Sequence, residues 1–132
     1  MPVVDASVLV EYLTLGEHGE QAQERLEREG HALWAPQLVD AEVGQALRGK
    51  MRRGELSAVA AGEALWELID DMPVRRVSHE LLMHYAWSLR DNLSFYDALY
   101  VALAEMLGQP LLTFDARIAR ASGVRAEIEV LA

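Results

Sequence analysis

Four carboxylates stand in apolar surroundings in this sequence. They are Asp5 in VVDAS, Glu42 in VDAEV, Asp97 in SFYDALYVALAE and Asp115 in LLTFDARIA. A carboxylate taken out of water is costly unless a cation or a metal partners it. No basic residue nearby in sequence is placed to serve all four. Gathered by a fold, they form an acidic pocket of oxygen donors, which suits a hard divalent cation such as Mg²⁺ or Mn²⁺. Ser7 and Thr113 lie two residues after Asp5 and two before Asp115, positions from which a hydroxyl can orient a carboxylate or a water.

Each acid also has a plainer explanation. Asp5 and Asp115 each precede a helical pattern and can cap it. Ser94 and Asp97 have the spacing of a capping box, and an acid in the first turn is favoured by the helix dipole. Glu42 resists that explanation, because it lies inside a helix between Ala41, Val43 and Ala46; its plain reading is an acid at the edge of a buried face. Taken together the four favour a site.

The elements that must position them follow from periodicity and breakers. Val3 and Val4 form a buried strand ending at Asp5. A helix runs from Ala6 to Leu15 and is stopped by Gly16. A polar helix spans His18 to Glu29, with Ala22 and Leu26 inward. Ala32 to Ala35 is a strand. Pro36 suits the first turn of a helix that reaches Arg53. Ser57 caps a helix to Asp71, with Ala61, Leu65, Leu68 and Ile69 on one side. Val74 to Val77 is a strand. A helix from His79 to Arg90 turns Leu82, Tyr85, Ala86 and Leu89 inward, and an apolar helix starts at Ser94 and ends at Gly108. Leu111 to Thr113 is a strand, Asp115 to Ala121 a short helix, and Ile128 to Leu131 a last strand. This alternation predicts one α/β domain over residues 1–132, with a short, mainly parallel central sheet flanked by helices. In such sheets ligands bind beyond the carboxyl ends of the strands, where Asp5 and Asp115 fall.

Composition narrows the class. The 132 residues suffice for one domain, and 52% are hydrophobic, which argues against disorder. There are no cysteines, so disulfides and thiolate zinc sites are excluded. The first ten residues lack a basic segment, and no apolar run approaches the ~18 residues of a membrane span. A cytoplasmic protein is expected. The net charge of −9, from 21 acids and 12 bases, disfavours non-specific nucleic-acid binding and favours basic partners. Arg48, Lys50, Arg52 and Arg53 cluster at one helix end, either pairing with its dipole or forming a phosphate track. His18, His31, His79 and His84 share no metal-ligand spacing and read as surface or helix-end residues. Trp34, Trp66 and Trp87, with Tyr96 and Tyr100, read as core or dimer surface.

The segments VVDASVLV, PQLVDAEVGQAL, LSFYDALYVALAE and LLTFDARIARA, in that order, resemble the PIN-domain ribonucleases, and among them the VapC-type toxins of bacterial toxin–antitoxin pairs. The resemblance spans nearly the whole chain. It implies an acidic site at Asp5, Glu42, Asp97 and Asp115, with Ser7 and Thr113 at accessory polar positions. It also implies Mg²⁺- or Mn²⁺-dependent RNA cleavage, a homodimer and inhibition by a cognate antitoxin. One of the four acids is free to act as general base. The segment from Ser57 to Asn92 carries no family motif. The alternative is a non-enzymatic Mg²⁺-binding module of receiver-like design. That design needs an acidic pair in its first loop and a lysine at a late strand end, whereas the single lysine, Lys50, falls on a helix. A phosphatase with an aspartate nucleophile would want a second acid where Ser7 stands. A protein-binding domain that has lost its chemistry would not need all four acids.

Overall fold

The computed structural model describes residues 1–30 and 32–131, so the reading of His31 lies outside the described residues. Five short strands are embedded among helices. Strand β1 is Val3–Val4 and leads into α1, Ala6–Thr14; α2 is Gly19–Arg28, β2 is Leu33–Pro36 and α3 is Leu38–Arg52. Then come α4 at Ala58–Asp70, β3 at Val74–Val77, a 3₁₀ turn at His79–Leu81, and α5 at Met83–Ser88. The chain closes with α6 at Phe95–Leu107, β4 at Leu111–Thr113, α7 at Ala116–Arg120 and β5 at Ile128–Val130.

All strand pairs are parallel, in the order β3-β2-β1-β4-β5. Successive connections first lead away from β1 on one side; the chain then returns to place β4 on the other. The switch point of this α/β sheet therefore lies between β1 and β4. There Val3 pairs with Leu111 and Val4 with Leu112, so the next residues in register are Asp5 and Thr113. The backbone N–H of Asp5 continues the ladder, donating to the Leu112 carbonyl.

Burial explains why these residues form these elements. Val3, Val4, Leu33, Leu111 and Leu112 are completely buried, as expected for a parallel sheet covered by helices. In α6 every residue from Ala98 to Ala104 is buried, and a helix that is apolar all round belongs inside. It ends at Gly108 with φ 62°, a left-handed closure that glycine adopts without strain. Helices α1, α2, α3 and α4 pack on one another through α1 and the α3–α4 pair, while α5 packs on α6. Among the described residues, no helix is long and apolar enough to cross a membrane.

Three local expectations change. Pro36 is the last residue of β2, in register with Val77, and not the first turn of α3. Its missing N–H costs nothing there, because the ladder bond to the Val77 carbonyl comes from Gln37. The single helix expected from His79 to Arg90 is divided. His79 turns back so that its Nε2 accepts the backbone N–H of Leu38 at 2.8 Å, capping α3, and the chain tightens into the 3₁₀ turn before α5. Leu82, Ala86 and Leu89 are buried as expected, whereas Tyr85 and, in α4, Ile69 are exposed. Finally, α1 closes at Leu15 as expected, but Leu15 itself and not Gly16 makes the closing turn; it takes the left-handed conformation at φ 49°, which is strained for a side-chain-bearing residue. Gly16 serves another purpose, described below.

Candidate acidic site

The site is built outward from Asp5, which is 8% exposed at the end of β1. Its Oδ1 accepts the backbone N–H of Ser7 at 3.1 Å and of Val8 at 3.3 Å, so Asp5 caps α1. The same oxygen accepts the Ser7 hydroxyl at 2.6 Å, and Oδ2 accepts the Thr113 hydroxyl. Both hydroxyls are themselves aimed by backbone. Ser7 Oγ accepts from the Phe114 N–H at 3.1 Å, and Thr113 Oγ1 from the Asp115 N–H at 2.9 Å. A hydroxyl that accepts a backbone N–H is left with its own proton to give. The loop after β4 therefore points two O–H donors at one buried carboxylate. Burial pushes the Asp5 carboxyl up from 3.8 to about 6; the bonds from Ser7, Thr113 and Val8 pull it back, and repulsion from Asp97 adds to the rise.

Glu42 projects from the second turn of α3, half-buried, and its Oε1 accepts the Tyr100 hydroxyl at 2.6 Å. Burial raises its carboxyl, the bond from Tyr100 lowers it, and Asp97 raises it. Asp97 lies in the first turn of α6. Its N–H donates to the Ser94 cap at 3.1 Å, as the sequence spacing suggested. Its carboxyl is raised by burial and by Asp115, against Ser94 and Arg117. Asp115 caps α7 by accepting the Arg117 N–H at 2.9 Å. The Arg117 guanidinium also grips both its oxygens, Nε to Oδ1 at 3.0 Å and Nη2 to Oδ2 at 2.8 Å. That grip holds the Asp115 carboxyl below its ordinary value.

The four acids are thus neighbours in charge, with Asp97 coupled to each of the other three. Among the described residues, Asp5, Glu42 and Asp97 form no ion pair, and Asp115 has only Arg117. They are not drawn into a ready coordination shell: among the described residues no three of His, Cys, Asp or Glu are placed to hold a metal ion. Like charges with no cation between them stand apart, and Arg117 occupies the oxygens of Asp115. Ser7 and Thr113 both reach the site. Of the basic cluster, Lys50 and Arg53 pair with Glu55, at 3.8 and 3.0 Å, while Arg48 and Arg52 are exposed at the far end of α3.

From sequence, Tyr100 reads only as core or dimer surface, and Arg117 is not singled out. Tyr100 does not share the surface with Tyr96: it is 2% exposed, whereas Tyr96 is 62% exposed. The available signals were spacings. Tyr100 is one helical turn from Asp97, on the same face, and Arg117 is two residues from Asp115. His18 stands at the N-terminal end of α2, as a helix-end residue is expected to, and also stacks on Phe114 at 5.4 Å between ring centroids, beside Ser7 and Glu42.

The chain is thus a 3-2-1-4-5 parallel α/β domain with acids gathered at its carboxyl edge, and the PIN domain profile matches residues 3–124. The chain is 50% identical over 101 residues to ribonuclease VapC1 of Mycobacterium tuberculosis, covering 74% of this chain and 73% of that one. It is 44% identical over 120 residues to ribonuclease VapC3 of the same organism, covering 90% and 85%. The crystal structure of VapC20 from M. tuberculosis, described as a sarcin–ricin loop cleaving toxin, superposes with a TM-score of 0.71 at 20% identity, covering 94% and 96%. The chain belongs to the PIN-domain family, as a VapC-type ribonuclease.

Proposed function

We propose that this chain is a cytoplasmic, Mg²⁺- or Mn²⁺-dependent endoribonuclease acting as the toxin of a toxin–antitoxin pair. It would hydrolyse RNA phosphodiester bonds at Asp5, Glu42, Asp97 and Asp115. The observation that carries this reading is a set of three carboxylates, Asp5, Glu42 and Asp97, raised by burial and repulsion and left without a cationic partner among the described residues. A fold tolerates such strain where a ligand relieves it. The donors are all oxygen, so they fit a hard divalent ion and not a thiophilic one.

Asp5, Glu42, Asp97 and Asp115 would hold the ion directly or through water. When bound, Mg²⁺ or Mn²⁺ supplies charge for the scissile phosphate and lowers the pKa of a water. The chain's own groups supply orientation. Ser7 and Thr113 fix Asp5 against rotation, and Tyr100 fixes Glu42. Arg117 is 82% exposed, so it is free to leave Asp115 for a phosphate oxygen when substrate arrives. Arg48 and Arg52, six and ten residues beyond Glu42, lie about 9 and 15 Å further along the helix axis. They are the exposed phosphate contacts of the basic cluster.

The partner reading has a physical basis. A groove of about 480 Å³ between α1 and α4 is lined by Leu13, Ala60, Ala64 and Trp66 together with Glu63, Glu67, Asp70 and Asp71. An amphipathic basic helix of an antitoxin fits that chemistry. Helix α1 runs from Ser7 in the acid pocket to Thr14 in the groove, so one partner segment can reach both and bring an Arg or Lys to the acids. Exposed Trp87, Tyr96, Leu81 and Met83 around α5 and α6 offer a surface for a homodimer. The receiver-like alternative is disfavoured, because Lys50 sits on α3 beside Glu55 and not at a strand end.

The test is cleavage of structured RNAs by purified protein with Mg²⁺, Mn²⁺ or EDTA. Metal-dependent cuts that disappear in EDTA are expected. Cleavage that persists in EDTA, or none across a transcriptome with metal present, overturns the reading.

A further inference from the structure

A second cleft opens beside the acids. It holds about 380 Å³, within the range of small-molecule sites, and is lined by Ala6, Ser7, Val10, Glu11, His18, Glu42, Ala46 and Phe114. Three features set it apart from an ordinary surface dent. Two of its residues, Ser7 and Glu42, belong to the acidic site, so whatever fills it touches the reacting region. One wall is the His18–Phe114 stack, its rings inclined by only 27°, with Val10 buried beneath. Phe114 is itself fixed, because its N–H is the donor that aims the Ser7 hydroxyl.

The third feature is Glu11. Its Oε2 accepts the His18 N–H at 3.2 Å. The carboxylate lies so close over Gly16 that a Cβ there would stand 2.0 Å from Oε2. A side chain at position 16 would push the Glu11 carboxylate aside, so Gly16 leaves room for Glu11 where it stands. Among the described residues Oε1 of Glu11 forms no hydrogen bond. A flat aromatic wall, an apolar floor and one fixed acceptor make a receptor for a planar heterocycle with a donor on its edge.

We propose that this cleft binds one nucleobase of the RNA, adjacent to the bond that is cut, and selects a base bearing an exocyclic amino group over uracil. The base stacks on the outer face of the His18–Phe114 pair and donates an amino hydrogen to Glu11, as amino groups of bases donate to carboxylates elsewhere; the one edge donor of uracil, N3–H, lies between two carbonyl oxygens that repel a carboxylate. The placement beside the cut rests on the ribonuclease reading; the binding of the base does not.

The experiment separates the two. Cytidine, adenosine and uridine, uncharged and metal-independent, are titrated into the intact protein while the ring resonances of His18 and Phe114 are followed by NMR. Ring-current shifts are expected with cytidine and adenosine, at about tenfold tighter affinity than with uridine, the order expected for one hydrogen bond to a charged acceptor. Glu11→Gln should shrink that discrimination to about twofold or less, since an amide can present either a donor or an acceptor. Phe114→Leu and His18→Ala should each weaken all three nucleosides alike. In the cleavage arm, one abasic residue at the nucleotide flanking the cut should slow wild type about tenfold, from lost stacking. Absent ring shifts, or uridine bound as well as cytidine, overturn the proposal even if the protein cuts RNA. Ring shifts in a protein that cuts nothing uphold the base site and count against the ribonuclease reading instead.

Discussion

Asp5 caps a helix and at the same time carries a charge that its surroundings disfavour. Its carboxyl stands at about 6, above the ordinary 3.8, so the folded chain holds that proton more tightly than the unfolded chain does. Between those two values folding takes up a proton. The stabilising contribution is therefore complete below about pH 4 and is lost as the pH rises through about 6, on the order of 3 kcal/mol in all. Metal-free wild type should lose stability relative to Asp5→Asn between pH 4 and pH 7 in denaturant titrations, and parallel curves would contradict the assignment. Asp115 shows the opposite sign, because Arg117 neutralises it. Arg117→Ala should free Oδ2, leave Oδ1 with only its backbone cap, and tighten Mn²⁺ binding severalfold by calorimetry; an unchanged affinity would mean that the pair does not compete with the ion. Asp5, Asp97 and Asp115 were legible because each carboxylate interrupts an apolar segment. Tyr100 was not, because a tyrosine in an apolar helix is indistinguishable from core until its partner across the fold is known.

At the scale of elements, four of the caps that the sequence suggests are formed. Ser57 and Ser94 cap α4 and α6 as their spacing predicts. Asp5 and Asp115 cap α1 and α7 while facing the site. A cap and a site are compatible at these positions, since the N-terminal turn that welcomes an anion also aims it. His79 shows where sequence runs short. It caps α3 from 41 residues away, a contact that no local pattern encodes, and the predicted helix divides as a result. Leu38 would be left with an unpaired N–H in His79→Ala. A loss of about 1 kcal/mol is expected, and recovery of most of it by a polar acceptor such as Asn. Equal stability of wild type and His79→Ala in urea melts would show that water replaces the cap without cost. Pro36 failed for a related reason: proline at a strand end and at a helix start look alike when only the missing N–H is considered.

At the scale of the whole molecule, alternation of strands and helices was enough to give the α/β class, but not the strand order. That order matters because it places β1 beside β4, and thereby Asp5 beside Thr113, across 108 positions of sequence. The acids converge because the sheet switches direction there and because α3 and α6 begin near that edge. On the proposed function, the net charge of −9 would set the partner chemistry: it favours a basic protein segment, and an RNA would have to be held by few phosphate contacts. The acids are proposed to form a cation site and not merely a set of caps. Thermal melts of wild type and Asp97→Asn, each with and without Mg²⁺, test it most directly when cleavage is measured on the same samples. Removing one of several crowded carboxylates should leave the metal-free protein as stable as wild type or more so. The stabilisation gained from Mg²⁺ should shrink, since a ligand that binds only the folded state stabilises according to its affinity, and cleavage should disappear. A variant that melts lower without metal, yet shows the full Mg²⁺ shift, would make Asp97 a helix-terminal residue and contradict the site.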